Sequence, residues 1–142
     1  MPDPDDLAST FRDALRPLFR RLMQERTLSL SKTGMLARLD EQGAATAAEL
    51  AAAEQITAQA VAVALRELED RGFVSRTVDP DDRRRVQVRL TDDGRDRLGE
   101  ERARGTRWLE RALRERLDDA DRAALEAVVP VLQKLSETDA DA

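Results

Sequence analysis

Cysteine and histidine are both absent from this 142-residue sequence. Without cysteine, the chain can form no disulfide bond and has no thiol that could sense oxidants. Without histidine, it lacks the commonest general base of enzymes and the commonest side-chain ligand of transition metals. The sequence also has no glycine-rich phosphate loop, no nucleophile elbow and no cluster of metal ligands. We therefore expect no enzymatic activity, no catalytic residues, no metal and no cofactor.

Long hydrophobic runs are missing as well. No apolar segment approaches the ~20 residues that a membrane-spanning helix needs. The N-terminus, MPDPDD, is acidic and does not resemble a signal peptide. The sequence therefore predicts a cytoplasmic protein without a membrane partner, and its length predicts a single domain.

The balance of charge is acidic, with a formal net charge of −5. Taken alone, this charge argues against binding to nucleic acid. Six of the acidic residues, however, lie within the first six and the last six positions, and without them the net charge would be +1. Arg83, Arg84 and Arg85 are consecutive and form a local basic spot. Because local charge at the phosphates decides binding, the total charge does not forbid it.

Residues 46–71 have the pattern of two helices joined by a tight turn. Thr46 and Glu49 fit a capping box at the start of the first helix. Thr57 is a favourable N-cap for the second helix, and Gly72 fits the position just after its end. The second helix has one apolar face at helical spacing, made of Val61, Ala64, Leu65 and Leu68.

Two β-branched runs follow, at residues 74–78 and 86–90, joined by the charged loop 79–85. The acids of this loop, Asp79, Asp81 and Asp82, superficially resemble a calcium site. The glycine and the closing glutamate of such a site are missing, and arginines follow. The loop therefore predicts a basic hairpin, and the fold class is mostly α with a small β-hairpin wing, a winged helix-turn-helix. This architecture is typical of proteins that bind DNA.

These residues resemble the MarR family of winged-helix transcriptional regulators (multiple antibiotic resistance regulator type). The resemblance rests on Leu68-Glu69, Gly72 and Arg76, on the wing segment 79–84, and on Leu90-Thr91 followed by Gly94. It extends more weakly over residues 7–137. It implies a homodimeric regulator, acting as a repressor, that binds a pseudo-palindromic site in double-stranded DNA. It also implies a possible small-molecule effector.

The chain can be divided on this basis. Residues 1–6 are predicted to be a disordered acidic tail, and residues 138–142 a second tail. Residues 28–91 are the predicted DNA-binding lobe, with either Ser29 or Ser31 as the N-cap of its first helix. Residues 7–27 and 92–137 form helices, and the resemblance assigns both to dimerisation. An ordinary core role for the first helix is the alternative. The last helix is predicted to bury an apolar face of Leu125, Val128, Val129, Leu132 and Leu135.

The candidate DNA-binding residues lie on the second helix of the motif and on the wing. Gln59 is suited to adenine, Ala60 and Val63 offer only apolar contact, for example with a thymine methyl group, and Arg66 suits guanine or a phosphate. By resemblance, Arg84 is the first choice for a contact in the minor groove and Arg83 the second. Asp82 is expected to orient an arginine. The full set is Thr57, Gln59, Ala60, Val63, Arg66, Arg76, Arg83, Arg84 and Arg85.

A second, weaker set of residues could line an effector pocket. These are large apolar residues: Phe11, Phe19, Met23, Met35 and Trp108. A stripe of this kind equally suits a plain core. A second alternative concerns the whole protein, which could be a winged-helix module that binds protein and does not bind DNA specifically. The acidic balance and the apolar Val63 favour that alternative, whereas the three arginines oppose it.

Overall fold

The structure is a computed structural model that describes residues 1–137, so the predicted tail 138–142 lies outside the described residues. The described chain contains six helices and three strands. In order these are α1 (Pro4–Gln24), α2 (Leu30–Gln42), β1 (Ala45–Thr46), α3 (Ala47–Glu54), α4 (Ala58–Asp70), β2 (Val74–Val78), β3 (Val86–Leu90), α5 (Asp92–Arg116) and α6 (Asp119–Ser136). The predicted fold class, mostly helical with a β-hairpin wing, is confirmed.

The N-terminal helix begins earlier than predicted. Residues 1–6 were expected to be disordered, but α1 starts at Pro4. The side chain of Asp3 accepts a hydrogen bond from the backbone N–H of Asp5 at 3.1 Å, which caps the helix. A proline in the first turn costs no hydrogen bond, and Asp5 and Asp6 interact favourably with the positive end of the helix dipole.

The hydrophobic core lies in the lobe made by α2, α3, α4 and the sheet. Ser29, and not Ser31, is the N-cap of α2. The predicted apolar face of α4 is buried, with Val61 and Leu68 completely inaccessible to solvent. Gly72 follows α4 at φ 78°, a left-handed conformation that glycine adopts without steric cost. The fully buried large side chains are Met35, Leu36, Leu50, Val61, Leu65, Leu68, Val88 and Leu98.

The sheet has one strand more than the sequence predicts. Its order is β1-β3-β2, and both pairs are antiparallel. In the hairpin, Val74 pairs with Leu90 and Val78 with Val86, as the two β-branched runs predict. The short β1 pairs Ala45 with Val88 on the other side of β3. The wing is therefore anchored to the segment that enters α3.

The base of the wing is bonded to the first turn of α5. The backbone N–H of Thr91 donates to the carbonyl of Phe73 at 3.1 Å, and its hydroxyl donates to the carbonyl of Gly72 at 2.6 Å. The same hydroxyl oxygen accepts from the N–H of Gly94 at 3.0 Å and so caps the helix. Gly94 is required here, because a β-carbon at this position would lie 2.0 Å from the Phe73 carbonyl oxygen.

The chain divides into two compact units, Met1–Gly105 and the residues from Thr106 onward. In the second unit, Asp118 caps α6 through a complete capping box with Asp121. The prediction that α6 buries its apolar face is wrong for the single chain, because Val129 and Leu135 are 46% and 69% exposed. The apolar periodicity is present, but no element of the described chain covers it. Within residues 1–137, no helix is both long enough and apolar enough to cross a membrane.

Candidate nucleic-acid interface

Helix α4 is held in place by its caps and its buried face. Gln55, in the turn before it, adopts a left-handed conformation with φ 54°, and this ends α3 within one residue. The Thr57 hydroxyl then accepts a hydrogen bond from the N–H of Ala60 at 3.1 Å, as predicted for an N-cap. Because the opposite face is packed in the core, the remaining face of α4 is fixed toward solvent.

The outward face of α4 carries the residues predicted to contact bases. Gln59, Val63 and Arg66 follow the spacing i, i+4, i+7, so they lie along one stripe. All three side chains are exposed, and so is Ala60 at the edge of the stripe. The structure therefore brings these four residues together on one surface, and Thr57 lies at the N-terminal end of the same helix.

The four predicted basic residues of the wing fall into two classes. Arg76 pairs with Glu69 of α4 at 2.5 Å, and Arg85 pairs with Glu49 of α3 at 3.1 Å. The side chains of Arg83 and Arg84 make no hydrogen bond or ion pair within residues 1–137. The tip of the wing thus presents two guanidinium groups without a carboxylate partner among the described residues, whereas Arg76 on β2 and Arg85 at the end of the loop are held by carboxylates.

Aspartates shape the loop that carries the tip arginines. Asp82 was predicted to orient an arginine, and its carboxylate accepts a hydrogen bond from the backbone N–H of Arg84 at 3.0 Å. Asp79 accepts in the same way from Asp81 at 2.9 Å, and the Asp79 N–H donates to the carbonyl of Arg85 at 2.8 Å. These bonds close the loop and direct the carboxylates of Asp79 and Asp82 at its own backbone. Asp82 therefore acts on the main chain of Arg84 and not on its guanidinium.

The carboxylate partners of the wing arginines are not indicated by any local sequence pattern. Glu49 was predicted to complete a capping box with Thr46. The Thr46 hydroxyl does accept a hydrogen bond from the backbone N–H of Glu49 at 3.2 Å. The Glu49 carboxylate, however, is bonded to Arg85, 36 residues away. No periodicity or spacing signals a pair so distant in sequence.

A buried acid, which no local sequence pattern indicates either, connects α5 to the segment just before α2. Glu101 is 6% exposed and accepts hydrogen bonds from the backbone N–H of Thr27 at 3.2 Å and from the Thr27 hydroxyl. Arg97 donates to the same hydroxyl and lies 3.5 Å from Glu101. Its guanidinium also lies 5.7 Å from the ring centre of Phe73 at the base of the wing.

The groups around Glu101 shift its pKa. Burial raises the pKa of Glu101, but the hydrogen bonds from Thr27, the positive charge of Arg97 and a bond from the Leu28 backbone outweigh it. The net result is a pKa below the ordinary value for glutamate. Glu101 is therefore held in its charged form inside the lobe.

Of the five residues of the predicted effector pocket, Phe11 and Phe19 line one groove in the described chain. This groove lies on α1 and is open and apolar, with a volume of about 720 Å³. Met35 is fully buried in the core of the lobe, so it is a packing residue. Trp108 is buried at 6% exposure and belongs to the second unit. Met23 is partly buried near the end of α1 and is not among the residues that line the groove.

Comparison with known proteins places this geometry in a family. The sequence model of the MarR family matches residues 28–86, which span the core of the lobe from α2 to the start of β3. The chain is 30% identical over 101 residues to the HTH-type transcriptional repressor MdtR of Bacillus subtilis (strain 168). That match covers 66% of this chain and 65% of MdtR.

Solved structures extend the similarity to nearly the whole chain. A candidate transcriptional regulator from Pseudomonas aeruginosa PA01 is 35% identical, with a TM-score of 0.83 over 94% of this chain and 96% of that protein. BpsR of Bordetella bronchiseptica, whose DNA binding is regulated by 6-hydroxynicotinic acid, is 26% identical, with a TM-score of 0.64 over 90% and 99%. The family match, these relatives and the winged lobe agree, and the chain belongs to the MarR family of transcriptional regulators.

Proposed function

We propose that this protein is a homodimeric repressor that binds a pseudo-palindromic site in double-stranded DNA. The observation that carries the proposal is the wing tip, where Arg83 and Arg84 are exposed and without a partner in the described chain. Adjacent like charges repel each other, and an anionic partner relieves that repulsion. Helix α4 presents an exposed stripe on the same lobe, as expected for a helix that enters the major groove.

The proposed dimer is supported by two exposed apolar faces outside the lobe. On α1, Leu7, Leu18 and Phe19 are between 42% and 55% exposed. On α6, the exposed apolar residues are Leu125, Val128, Val129, Val131 and Leu135. A second copy of the chain would cover such faces, as hydrophobic patches of this kind mark association surfaces. Residues 7–27 and 92–137 are the dimerisation region in this proposal.

A small-molecule effector is part of the proposal. The groove on α1 is apolar and adjoins the proposed dimerisation surface, since Leu18 and Phe19 belong to both. BpsR, the relative regulated by 6-hydroxynicotinic acid, provides the analogy. The dimer would have one arrangement when free and another when bound to DNA. An effector that binds these two arrangements with different affinities shifts the population between them.

The test is a selection from a random pool of duplex DNA, followed by titration of the selected site at several salt concentrations. The wild type is expected to select an inverted repeat with half-sites about one helical turn apart. Arg84→Ala is expected to weaken binding and to reduce the slope of log affinity against log salt by about one. Arg12→Ala serves as the control, because Arg12 is an exposed arginine of α1 that pairs with Asp13.

The rival function, a winged-helix module that binds protein, gives a different result in the same experiment. A hydrophobic protein interface has no phosphates to neutralise, so its affinity lacks the linear dependence on salt. Failure to enrich any sequence, together with no effect of Arg84→Ala, would favour the rival and reject the proposed function.

A further inference from the structure

Val63 is an aliphatic residue in the middle of the outward face of α4. It is 49% exposed, whereas Val61 on the opposite face is completely buried. A β-branched residue is a weaker helix former than alanine, so helix propensity does not explain its presence at an exposed site. Packing does not explain it either, since half of the side chain faces solvent. Val63 is therefore a candidate contact with something outside the chain.

The residues around Val63 indicate the chemical character of the partner that it contacts. Gln59 precedes it by one turn and Arg66 follows it by nearly one turn on the same stripe, so the apolar group lies between two polar ones. Ala60 and Ala62, which flank it, are exposed and have no polar side-chain atoms. The N-terminal half of the face thus offers one amide and a small apolar surface, which suits a partner of the same mixed character.

The edges of base pairs in the major groove have this character. The 5-methyl group of thymine is the apolar feature exposed there, and glutamine pairs with the N6 and N7 atoms of adenine. One helical turn rises ~5.4 Å, whereas successive base pairs are ~3.4 Å apart. Two residues one turn apart therefore contact positions one or two base pairs apart.

We propose that Val63 is a specificity-determining residue that contacts the 5-methyl group of a thymine, within two base pairs of the base contacted by Gln59. The inference rests on the proposed function, because it assumes that α4 enters the major groove. In this proposal, much of the preference of the protein for its DNA sequence comes from contact with a methyl group. The alanines beside Val63 cannot make polar contacts with bases. Each half-site accordingly contains one thymine whose replacement by uracil weakens binding.

The experiment replaces thymines of the selected operator by deoxyuridine, one position at a time. This exchange removes the methyl group and leaves base pairing intact. For the wild type, one position per half-site is expected to weaken binding about fourfold, the change that corresponds to ~0.8 kcal/mol for one buried methyl-sized group. The affinity of Val63→Ala for the thymine operator is expected to be lower than that of the wild type by a factor of about four or more. Deoxyuridine at the sensitive position is expected to lower the affinity of this variant no further.

A matched control uses the same substitution at another exposed valine. Val78 on β2 is 54% exposed and lies outside the outward face of α4. Val78→Ala is expected to retain the full sensitivity to deoxyuridine. This separates loss of one contact from a general weakening of the lobe.

The possible results distinguish this inference from the proposed function. Specific, salt-dependent operator binding without a sensitive thymine would overturn the role of Val63 and leave the regulator proposal intact. If Val63→Ala loses as much affinity with deoxyuridine as the wild type does, the role of Val63 is likewise overturned and the regulator proposal stands. Failure to select any operator would reject both, and the exposed apolar face would then indicate a protein partner.

Discussion

The guanidinium of Arg85 lies 3.1 Å from the carboxylate of Glu49, so the loop end of the wing is joined by an ion pair to the first helix of the helix-turn-helix motif. Both side chains are about half exposed. Ion pairs of this kind contribute at most ~1 kcal/mol, because water screens both charges. A DNA phosphate can therefore replace Glu49 as the partner of Arg85 at little cost.

The first prediction concerns this competition. In Glu49→Gln, DNA affinity is expected to rise several-fold, because Arg85 is released and a carboxylate is removed from the proposed interface. The slope of log affinity against log salt should steepen by about one. Glu41→Gln is the control, since Glu41 is an exposed acid of the same lobe outside α3 and the wing. A fall in affinity with an unchanged slope would show that the pair only positions the wing.

The second prediction concerns pH and Glu101. Its pKa is lowered in the folded protein, so its contribution to stability is present above the unfolded-state pKa of ~4.3 and is lost as pH falls through the lower folded value. Glu101→Gln should reduce the free energy of unfolding by about 1–3 kcal/mol at pH 7. The difference from wild type should shrink below pH ~4. Urea unfolding across pH measures this.

Glu100→Gln is the matched control for that experiment. Glu100 is the neighbouring residue on α5, but its side chain is exposed. Its replacement is expected to leave the pH dependence of stability unchanged. An equal loss in both variants, or a Glu101→Gln difference that does not depend on pH, would contradict the role assigned to the buried carboxylate.

The third prediction concerns the contact between α5 and the wing. A methyl group at Gly94 collides with the carbonyl oxygen of Phe73, which belongs to the backbone and cannot rotate away. Gly94→Ala is therefore expected to lower the free energy of unfolding by about 1–3 kcal/mol. Gly99→Ala in the same helix should instead stabilise by up to ~1 kcal/mol, because a β-carbon there meets nothing within 4 Å in the described chain. Thermal unfolding of both variants measures the difference, and equal effects would contradict the contact.

The fourth prediction concerns the proposed dimer. Phe19 is 55% exposed on the apolar face of α1. Phe19→Asp is expected to weaken dimerisation by about a hundredfold, which corresponds to ~3 kcal/mol, because it places a charge in an apolar interface. Sedimentation equilibrium measures the dissociation constant. Val78→Asp is the control, as Val78 is 54% exposed on the wing. A monomeric wild type, or the same loss in both variants, would contradict the dimer.

The lobe was predictable because its signals are local. The period of α4, its Thr57 cap and the two β-branched runs each lie within a few residues, and the observed bounds of α4 and the hairpin follow them. Strand β1 was missed because its two residues, Ala45 and Thr46, are too few to show the alternating pattern of a strand. It exists only through pairing with Val88 and Gln87, more than 40 residues later.

Other features depend on partners that a sequence pattern does not identify. The apolar period of α6 indicates a face that needs covering, but not whether the cover is this chain or another one. Similarly, no sequence pattern distinguishes Glu101 from the other charged residues of α5, since only the fold brings Thr27 to it. The roles of Arg83 and Arg84 on DNA stay predictions, although their exposure is compatible with them.

The bonds of Thr91 to Gly72 and Phe73 have a mechanical consequence. They join both ends of the hairpin to the first turn of α5, and the absent side chain of Gly94 lets the two backbones touch. We therefore expect the base of the wing to follow any tilt of the beginning of α5, because backbone bonds and contacts join the two without an intervening segment.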